Sequence, residues 1–182
     1  MKTVRIWYDR FLEVIAAALM AGLAVVLVMG FVYRFLGMSL VWYDEIASIG
    51  LAWLTYYGSA LAAHRGAHIG FPGIVNAFPP ALRLAATIFS EIVVLGFFVL
   101  LAIYGSQVVM ILQGSTLVSL PNVSQAFTQS VIPIASVLFI IAELLRLPEV
   151  IEAARGHGFE DHELKEALEG INESALKTEP SK

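Results

Sequence analysis

The hydrophobic positions of this chain are gathered into four long runs, and the charged residues lie between and beyond them. The runs are Val14–Tyr33, Ile46–Ala63, Ile92–Ile111 and Val123–Ala142, and none contains a charged residue. A helix rises about 1.5 Å per residue, so about 20 residues cover the roughly 30 Å hydrocarbon core of a bilayer. Because lipid offers the backbone no hydrogen-bond partner, each run is predicted to be a membrane-spanning helix.

The pattern predicts an all-α membrane protein with four transmembrane helices joined by short loops. The expected helices cover about residues 12–35, 44–64, 84–112 and 123–146, within one transmembrane domain over residues 1–147. Residues 148–182 are predicted to be an acidic tail, partly helical or disordered, in which Asp161–Ala175 has the spacing of a short amphipathic helix. The composition agrees, since 58% of the 182 residues are hydrophobic and the mean hydropathy is +0.78.

Lysine and arginine are distributed unevenly between the two sides of these helices. The segment before the first helix, the second loop and the segment after the fourth helix hold ten of the eleven, and the first loop holds only Arg34. The positive-inside rule therefore predicts that both termini and the second loop are cytoplasmic. The net charge of −4 comes from the tail, so no nucleic-acid partner is predicted. The chain has no cysteine, which excludes disulfides and thiol chemistry.

Polar residues at the predicted outer side form one group of candidate functional positions. Trp42, Asp44 and Glu45 open the second helix, where acids suit the positive end of the helix dipole and can cap free amides. Arg34, across a short connection, is a candidate ion-pair partner for one of these acids. The alternative is that these residues form a patch that a soluble partner touches.

Glu91 is the ionisable residue nearest to the middle of a predicted crossing. It follows Arg83 by eight residues, or about 12 Å along a helix, which places it slightly below the inner membrane surface. One interpretation is a carboxylate that snorkels or pairs with a basic side chain of a neighbouring helix, and the other is a contact to a partner subunit. Glu143 and Arg146 have the spacing of an ion pair at the end of the fourth helix.

Proline, histidine and small residues add three weaker predictions. Pro133 predicts a kink or a local backbone adjustment inside the fourth crossing, and Pro148 predicts the end of that helix. His64 and His68 have a metal-ligand spacing but no adjoining third ligand, so no metal or cofactor is predicted. Two small-xxx-small pairs allow close helix packing, against this chain or another. They are Ala18 with Gly22 and Gly58 with Ala62.

Four short motifs occur in an order that is typical of one family. They are Trp42-Tyr43-Asp44-Glu45, an aromatic–Gly–small run from Leu54 to Ala60, His64-Arg65-Gly66-Ala67-His68-Ile69, and Ser119-Leu120-Pro121 followed by Val131-Ile132-Pro133-Ile134. With their spacing and the four-helix topology, the chain from Arg34 to about Leu145 resembles the small membrane subunit of tripartite ATP-independent periplasmic (TRAP) transporters, the DctQ-like family.

The resemblance implies a role that composition alone does not show. The small subunit is expected to support a large M-type membrane subunit, which carries an organic acid that a periplasmic P-type binding protein delivers. Uptake would be driven by a sodium gradient in the bacterial inner membrane, and this subunit would have no enzyme activity and no cofactor. Two alternatives are a small stand-alone secondary transporter that uses Glu91, and a membrane enzyme or redox protein. A membrane enzyme or redox protein would be expected to use cysteine, or histidine within the crossings, and the sequence has neither.

Overall fold

The computed structural model describes residues 2–66 and 76–156, and over these residues the chain forms five helices. They are α1 (Lys2–Phe35), α2 (Tyr43–Arg65), α3 (Pro80–Ile111), α4 (Gln125–Gln129) and α5 (Val131–Arg155). Four spans are long and apolar enough to cross a membrane, namely α1, α2, α3 and the continuous stretch of α4 and α5. The prediction of an all-α membrane protein with four crossings is confirmed. The amphipathic helix predicted at 161–175 lies outside the described residues.

The helices extend beyond the uncharged runs that predicted them. α1 begins at Lys2 rather than near residue 12, and α3 begins at Pro80 rather than near residue 84. Proline is tolerated at the first position of α3 because the first amides of a helix have no intrahelical acceptor. α2 ends at Gly66, which adopts a left-handed φ of 72° and donates its amide to the Ala63 carbonyl at 3.2 Å.

α5 runs through Pro148 to Arg155, so the prediction that Pro148 ends this helix is wrong. Proline lacks the amide that would donate to the Leu144 carbonyl four residues earlier, and the helix therefore loses one hydrogen bond at this turn. A tertiary contact holds the helix beyond that point. The Arg83 side chain of α3 donates to the Ala154 carbonyl at 2.9 Å.

The spanning helices pack as a row in the order α1, α2, α5, α3, so that α1 and α3 occupy its two edges. In the most apolar 18-residue window of each crossing, 33% of the window is buried for α4–α5, but only 6% for α1 and for α3. α5 is therefore the central element of the row. Its Phe139 is 1% exposed and stacks on Phe98 of α3, with 3.6 Å between ring centroids. The buried core residues are Tyr8, Leu12, Tyr57, Ala60, Ala63, Val131, Ala135, Phe139 and Ala142.

Two glycines allow neighbouring helices to approach closely. Gly30 of α1 faces the Tyr43 ring of α2, and an added Cβ would lie 2.3 Å from that ring. Gly105 of α3 faces Ile132 of α5, where an added Cβ would lie 2.8 Å from the side chain. Any larger residue at either position forces the helices apart, so these glycines set the helix spacing towards one end of the row.

The two small-xxx-small pairs identified in the sequence do not lie at these close helix contacts. The positions beside Gly22 and Gly58 are open, with no atom within 4 Å of an added Cβ. Ala18 is exposed and Ala62 is half-buried. Packing of these pairs against another chain stays a prediction.

Pro133 is the third residue of α5, close to the interruption that separates α5 from α4 at Ser130. Because Pro133 has no amide to donate to Gln129 four residues earlier, helical bonding is already weakened at this point. The Trp53 indole of α2 donates to the Thr128 carbonyl at 2.8 Å, which fixes α4 against α2. The backbone adjustment thus lies at the first turn of α5, before the main part of the crossing.

Candidate functional site

The charged side chains of the described helices collect towards the two ends of the row. We call the end where α1 and α3 begin and where α2 and α5 finish the terminal end, and the opposite end the loop end. The charged side chains towards the loop end are Arg34, Asp44 and Glu45. Those towards the terminal end include Arg5, Asp9, Arg10, Glu13, Arg65, Arg83, Glu91, Glu143, Arg146 and Glu149.

Two forked ion pairs join α1 to its neighbours at the terminal end. Arg65 of α2 donates to both oxygens of Asp9 at 2.8 and 2.9 Å, and it lies 3.5 Å from Glu13. Arg5 donates in the same way to both oxygens of Glu149 on α5. Bidentate pairs fix the relative orientation of two side chains. Because both pairs are partly exposed, their contribution to stability is small, and their role is to set the helix register.

Arg83 caps the C-terminus of α5 from a neighbouring helix. Its side chain is 6% exposed, and it donates to the Ala154 carbonyl at 2.9 Å and to the Gly156 carbonyl at 2.6 Å. The last carbonyls of a helix have no intrahelical partner, and a cation there suits the negative end of the helix dipole. This contact was not predicted from the sequence, because no local motif marks it.

Glu91 is half-buried and lies on the face of α3 that carries Arg83 and Phe98, both of which contact α5. Glu143 is 6% exposed, and its Oε2 atom has no hydrogen-bond partner among the described residues. The ion pair predicted between Glu143 and Arg146 is wrong, since none forms within 4.0 Å in the described part of the chain. The Arg146 guanidinium instead lies beside Gly66 at the end of α2.

His64 is buried between α2 and α1. Its ring meets the edge of the Tyr8 ring with 5.1 Å between centroids, and its Nδ1 atom has no hydrogen-bond partner among the described residues. Tyr8 donates its hydroxyl to the Leu138 carbonyl at 2.5 Å. Residues 2–66 and 76–156 contain no group of three potential metal ligands, and His68 lies outside those ranges. The contact with Tyr8 makes His64 a packing residue between α1 and α2.

Glu45 holds the connection between α3 and α4 at the loop end. Its carboxylate accepts hydrogen bonds from the amides of Val118 at 3.3 Å and Ser119 at 2.9 Å, and from the Ser119 hydroxyl. Within this connection, the Leu117 amide donates to the Val123 carbonyl at 3.0 Å, which forms a small hairpin. Glu45 thus binds a hairpin 74 residues further along the chain.

The other candidate residues at the loop end are placed differently from the expectation. Trp42 precedes the first residue of α2, and no side-chain hydrogen bond caps this helix, so the capping role predicted for the acids is wrong. Asp44 and Arg34 are exposed. Arg34 forms no ion pair with either acid within the described residues, so the predicted pairing is also wrong. Arg34 is exposed and has no ion-pair partner among the described residues, so its charge is accessible at the surface.

We expect Glu45→Ala to release this hairpin, because two amides and a hydroxyl lose their common acceptor. Hydrogen–deuterium exchange at Val118 and Ser119 should become faster than in the unmodified chain. Asp44→Ala removes the same charge at the adjacent exposed position and should leave the exchange rates unchanged. Equal rates in Glu45→Ala and the unmodified chain would contradict the role assigned to Glu45.

The described helices define an integral membrane protein whose grooves are apolar and open to the surface. One groove is lined by Ala24, Val25, Val28, Met29, Val32 and Tyr33 of α1, and another by Pro133, Ile134, Val137 and Leu138 of α5. Neither groove is lined by an acidic or basic side chain that would bind a charged solute. The class of protein that this structure defines is a four-crossing membrane protein with its charges towards its ends.

Comparison with known families identifies the family to which this membrane protein belongs. The family model of the DctQ component of tripartite ATP-independent periplasmic transporters matches residues 23–153, which is more than half of the chain. The chain therefore belongs to this family and is the small membrane component of a TRAP transporter, as the sequence motifs indicated. A search of curated proteins found no match. The matched region contains Glu45, Arg83, Glu91 and Glu143.

Proposed function

We propose that this chain is the non-catalytic supporting subunit of a sodium-driven TRAP transporter in the bacterial inner membrane. A large M-type membrane subunit would move the organic acid, and a periplasmic P-type protein would deliver it. The observation that carries this proposal is the distribution of charge. In the described crossings the acidic and basic side chains lie towards the ends, and Glu91 and Glu143 border the uncharged runs without entering them. A charged solute crossing through the middle of this row would have no compensating group.

The row arrangement also supports a bracing role. Its two edge helices, α1 and α3, are each buried over only 6% of their most apolar window and therefore offer long apolar faces to lipid or to a second membrane protein. Ties at the terminal end resist shear between helices, since forked ion pairs join α1 to α2 and α5, and Arg83 joins α3 to α5. A set of helices fixed in this way is suited to hold a position while a partner moves.

The distribution of basic residues supports an orientation with the terminal end in the cytoplasm. With the terminal end in the cytoplasm, nearly all lysines and arginines face inwards, as the positive-inside rule requires. The loop end would then face the periplasm, with the hairpin held by Glu45 and with Arg34, Trp42 and Asp44 near the surface. We propose this end as the side that the P-type protein approaches.

Reconstitution into liposomes tests the supporting role. The chain alone should show no uptake of an organic acid under a sodium gradient, whereas the same chain with the large subunit and the binding protein should restore uptake. Uptake by the chain alone would overturn the proposal and favour the stand-alone transporter. In that case Glu91→Gln should abolish the uptake, because Glu91 is the residue on which that alternative depends.

The same complete system tests the periplasmic contact. Asp44→Asn should lower uptake while the two membrane subunits still co-purify, because Asp44 is exposed and makes no contact that holds the fold. Arg10→Gln changes an exposed charge at the terminal end and serves as the control. Unchanged uptake in Asp44→Asn would remove Asp44 from the contact surface.

A further inference from the structure

The most exposed large apolar side chains of the described residues lie at the loop end, outside the uncharged runs. Val118 is 91% exposed, Phe35 84% and Val41 82%. Phe35 and Val41 lie between two charged residues, Arg34, which follows the first uncharged run, and Asp44, which precedes the second. Single exposed apolar residues are normal, but several at one end, bordered by charges, mark an interaction site. We call Phe35, Val41 and Val118 the loop-end patch.

Glu45 brings the hairpin part of the loop-end patch to the start of α2. Its carboxylate accepts the amide of Val118 at 3.3 Å and that of Ser119 at 2.9 Å. The connection that carries Val41 leads into the same helix, since α2 begins at Tyr43. Val118 and Val41 are therefore presented by two different connections that meet at the first turn of α2.

Backbone hydrogen bonds hold both connections in one conformation. After α1, Gly37 adopts a left-handed φ of 77° and donates its amide to the Arg34 carbonyl at 3.1 Å, and the Met38 amide donates to the Tyr33 carbonyl at 3.0 Å. These two bonds form a Schellman motif, which fixes the chain direction after Phe35. The hairpin is closed by its own backbone bonds and held by Glu45. A surface fixed in this way loses little conformational freedom when it binds a partner.

The position of the loop-end patch favours a protein over lipid as its partner. The uncharged run Val14–Tyr33 is already long enough to cover the hydrocarbon core of roughly 30 Å, so Phe35 lies beyond it. The hairpin around Val118 also exposes the polar residues Thr116 and Asn122, which are suited to water.

We propose that the loop-end patch is the docking surface for a water-soluble protein, the P-type binding protein of the transporter. The patch has an apolar centre, and the exposed charges of Arg34 and Asp44 neighbour it in the sequence. An apolar core with a polar rim is the common arrangement of a protein–protein interface. The choice of partner and the periplasmic side both rest on the proposed function.

A single introduced thiol tests the loop-end patch, because the chain has no cysteine of its own. In spheroplasts that contain the chain with its large subunit, Val118→Cys should react with a membrane-impermeant maleimide added outside. Purified substrate-loaded P-type protein should slow this reaction several-fold, and albumin at the same concentration should not. Ile6→Cys is the control, since Ile6 is 70% exposed at the terminal end. It should react only after permeabilisation, at a rate that the P-type protein does not change.

The affinity of the purified membrane complex for the P-type protein tests the same surface without a label. Val118→Ser and Phe35→Ser should each weaken binding roughly tenfold, because an apolar side chain is no longer buried in the contact. Ile6→Ser should bind like the unmodified complex. Co-purification of the two membrane subunits checks that each variant is assembled.

Three results would overturn the docking proposal. They are a Val118→Cys thiol that the P-type protein does not protect, unchanged affinity in both serine variants, and a thiol that reacts only with a lipid-soluble maleimide. The last result would assign the loop-end patch to the lipid surface. None of them affects the supporting role, which fails only if the chain alone takes up the organic acid.

Discussion

Phe139→Ala is expected to lower the free energy of unfolding of the isolated chain by about 3–5 kcal/mol. Phe139 is 1% exposed and lies on α5, the helix that contacts both α2 and α3. Its ring stacks on that of Phe98 with an interplanar angle of 10°, so truncation leaves a cavity at the centre of the row. Denaturant or thermal unfolding in detergent, followed by the tertiary circular dichroism signal, measures the loss.

Phe97→Ala is the matched control, because it removes the same ring one residue from Phe98. Phe97 is 56% exposed on the outer face of α3, and its replacement should change the stability of the isolated chain little. If both variants lost the same stability, the loss would reflect the chemistry of phenylalanine in a membrane helix, and the packing role of Phe139 would be contradicted.

The fold was predictable because its main determinant is local. An uncharged run of about 20 residues can satisfy its backbone in lipid only as a helix, and this requirement does not depend on the rest of the chain. The helix ends were less predictable, because contacts between residues distant in the sequence act on them. Past Pro148, α5 continues to Arg155 and is bound there by the side chain of Arg83, which lies 71 residues from its acceptor Ala154.

The ties between helices were not predictable, since each joins residues that are distant in the sequence. Glu45 was identified as a candidate, but its partner Ser119 is 74 residues away, and local reasoning assigned it to helix capping. Glu91 was also identified, either as a carboxylate that snorkels or pairs with a basic side chain or as a contact to a partner subunit, but its place on the face of α3 that packs against α5 was not predicted. Glu143 was assigned to Arg146 from its spacing alone, although the two form no ion pair within the described residues.

The glycines that allow close helix packing were also not predictable from local spacing. Gly22 and Gly58 satisfied the small-xxx-small spacing, yet both are open to the surroundings. Gly30 and Gly105, which allow the close helix contacts, have no such signal in their neighbouring residues and are recognisable only from the residues opposite them. Small residues at this spacing show only that a close approach of another helix is sterically allowed. The side chains of the neighbouring helix determine where the close approach occurs.

Arg83→Met is expected to lower the free energy of unfolding by about 3 kcal/mol, because two hydrogen bonds from a charged donor are lost and each contributes about 1.5–3 kcal/mol. Methionine keeps an apolar stem in the buried site, so the change isolates the guanidinium. The Ala154 and Gly156 carbonyls lose their donors, and the last turn of α5 should fray. Hydrogen–deuterium exchange of the final amides of α5 measures this fraying separately from global unfolding.

Arg83→Lys and Arg10→Met separate the contribution of geometry from that of charge. Lysine keeps the charge but not the fork that reaches both carbonyls, so its effect should lie between those of arginine and methionine. Arg10 has an 80% exposed side chain, and Arg10→Met should change neither stability nor exchange by a comparable amount. If the last amides of α5 exchanged as slowly in Arg83→Met as in the unmodified chain, the segment after Pro148 would be helical by its own propensity. The cap from α3 would then have no structural role, and the tie between α3 and α5 would rest on Gly105 and Phe98.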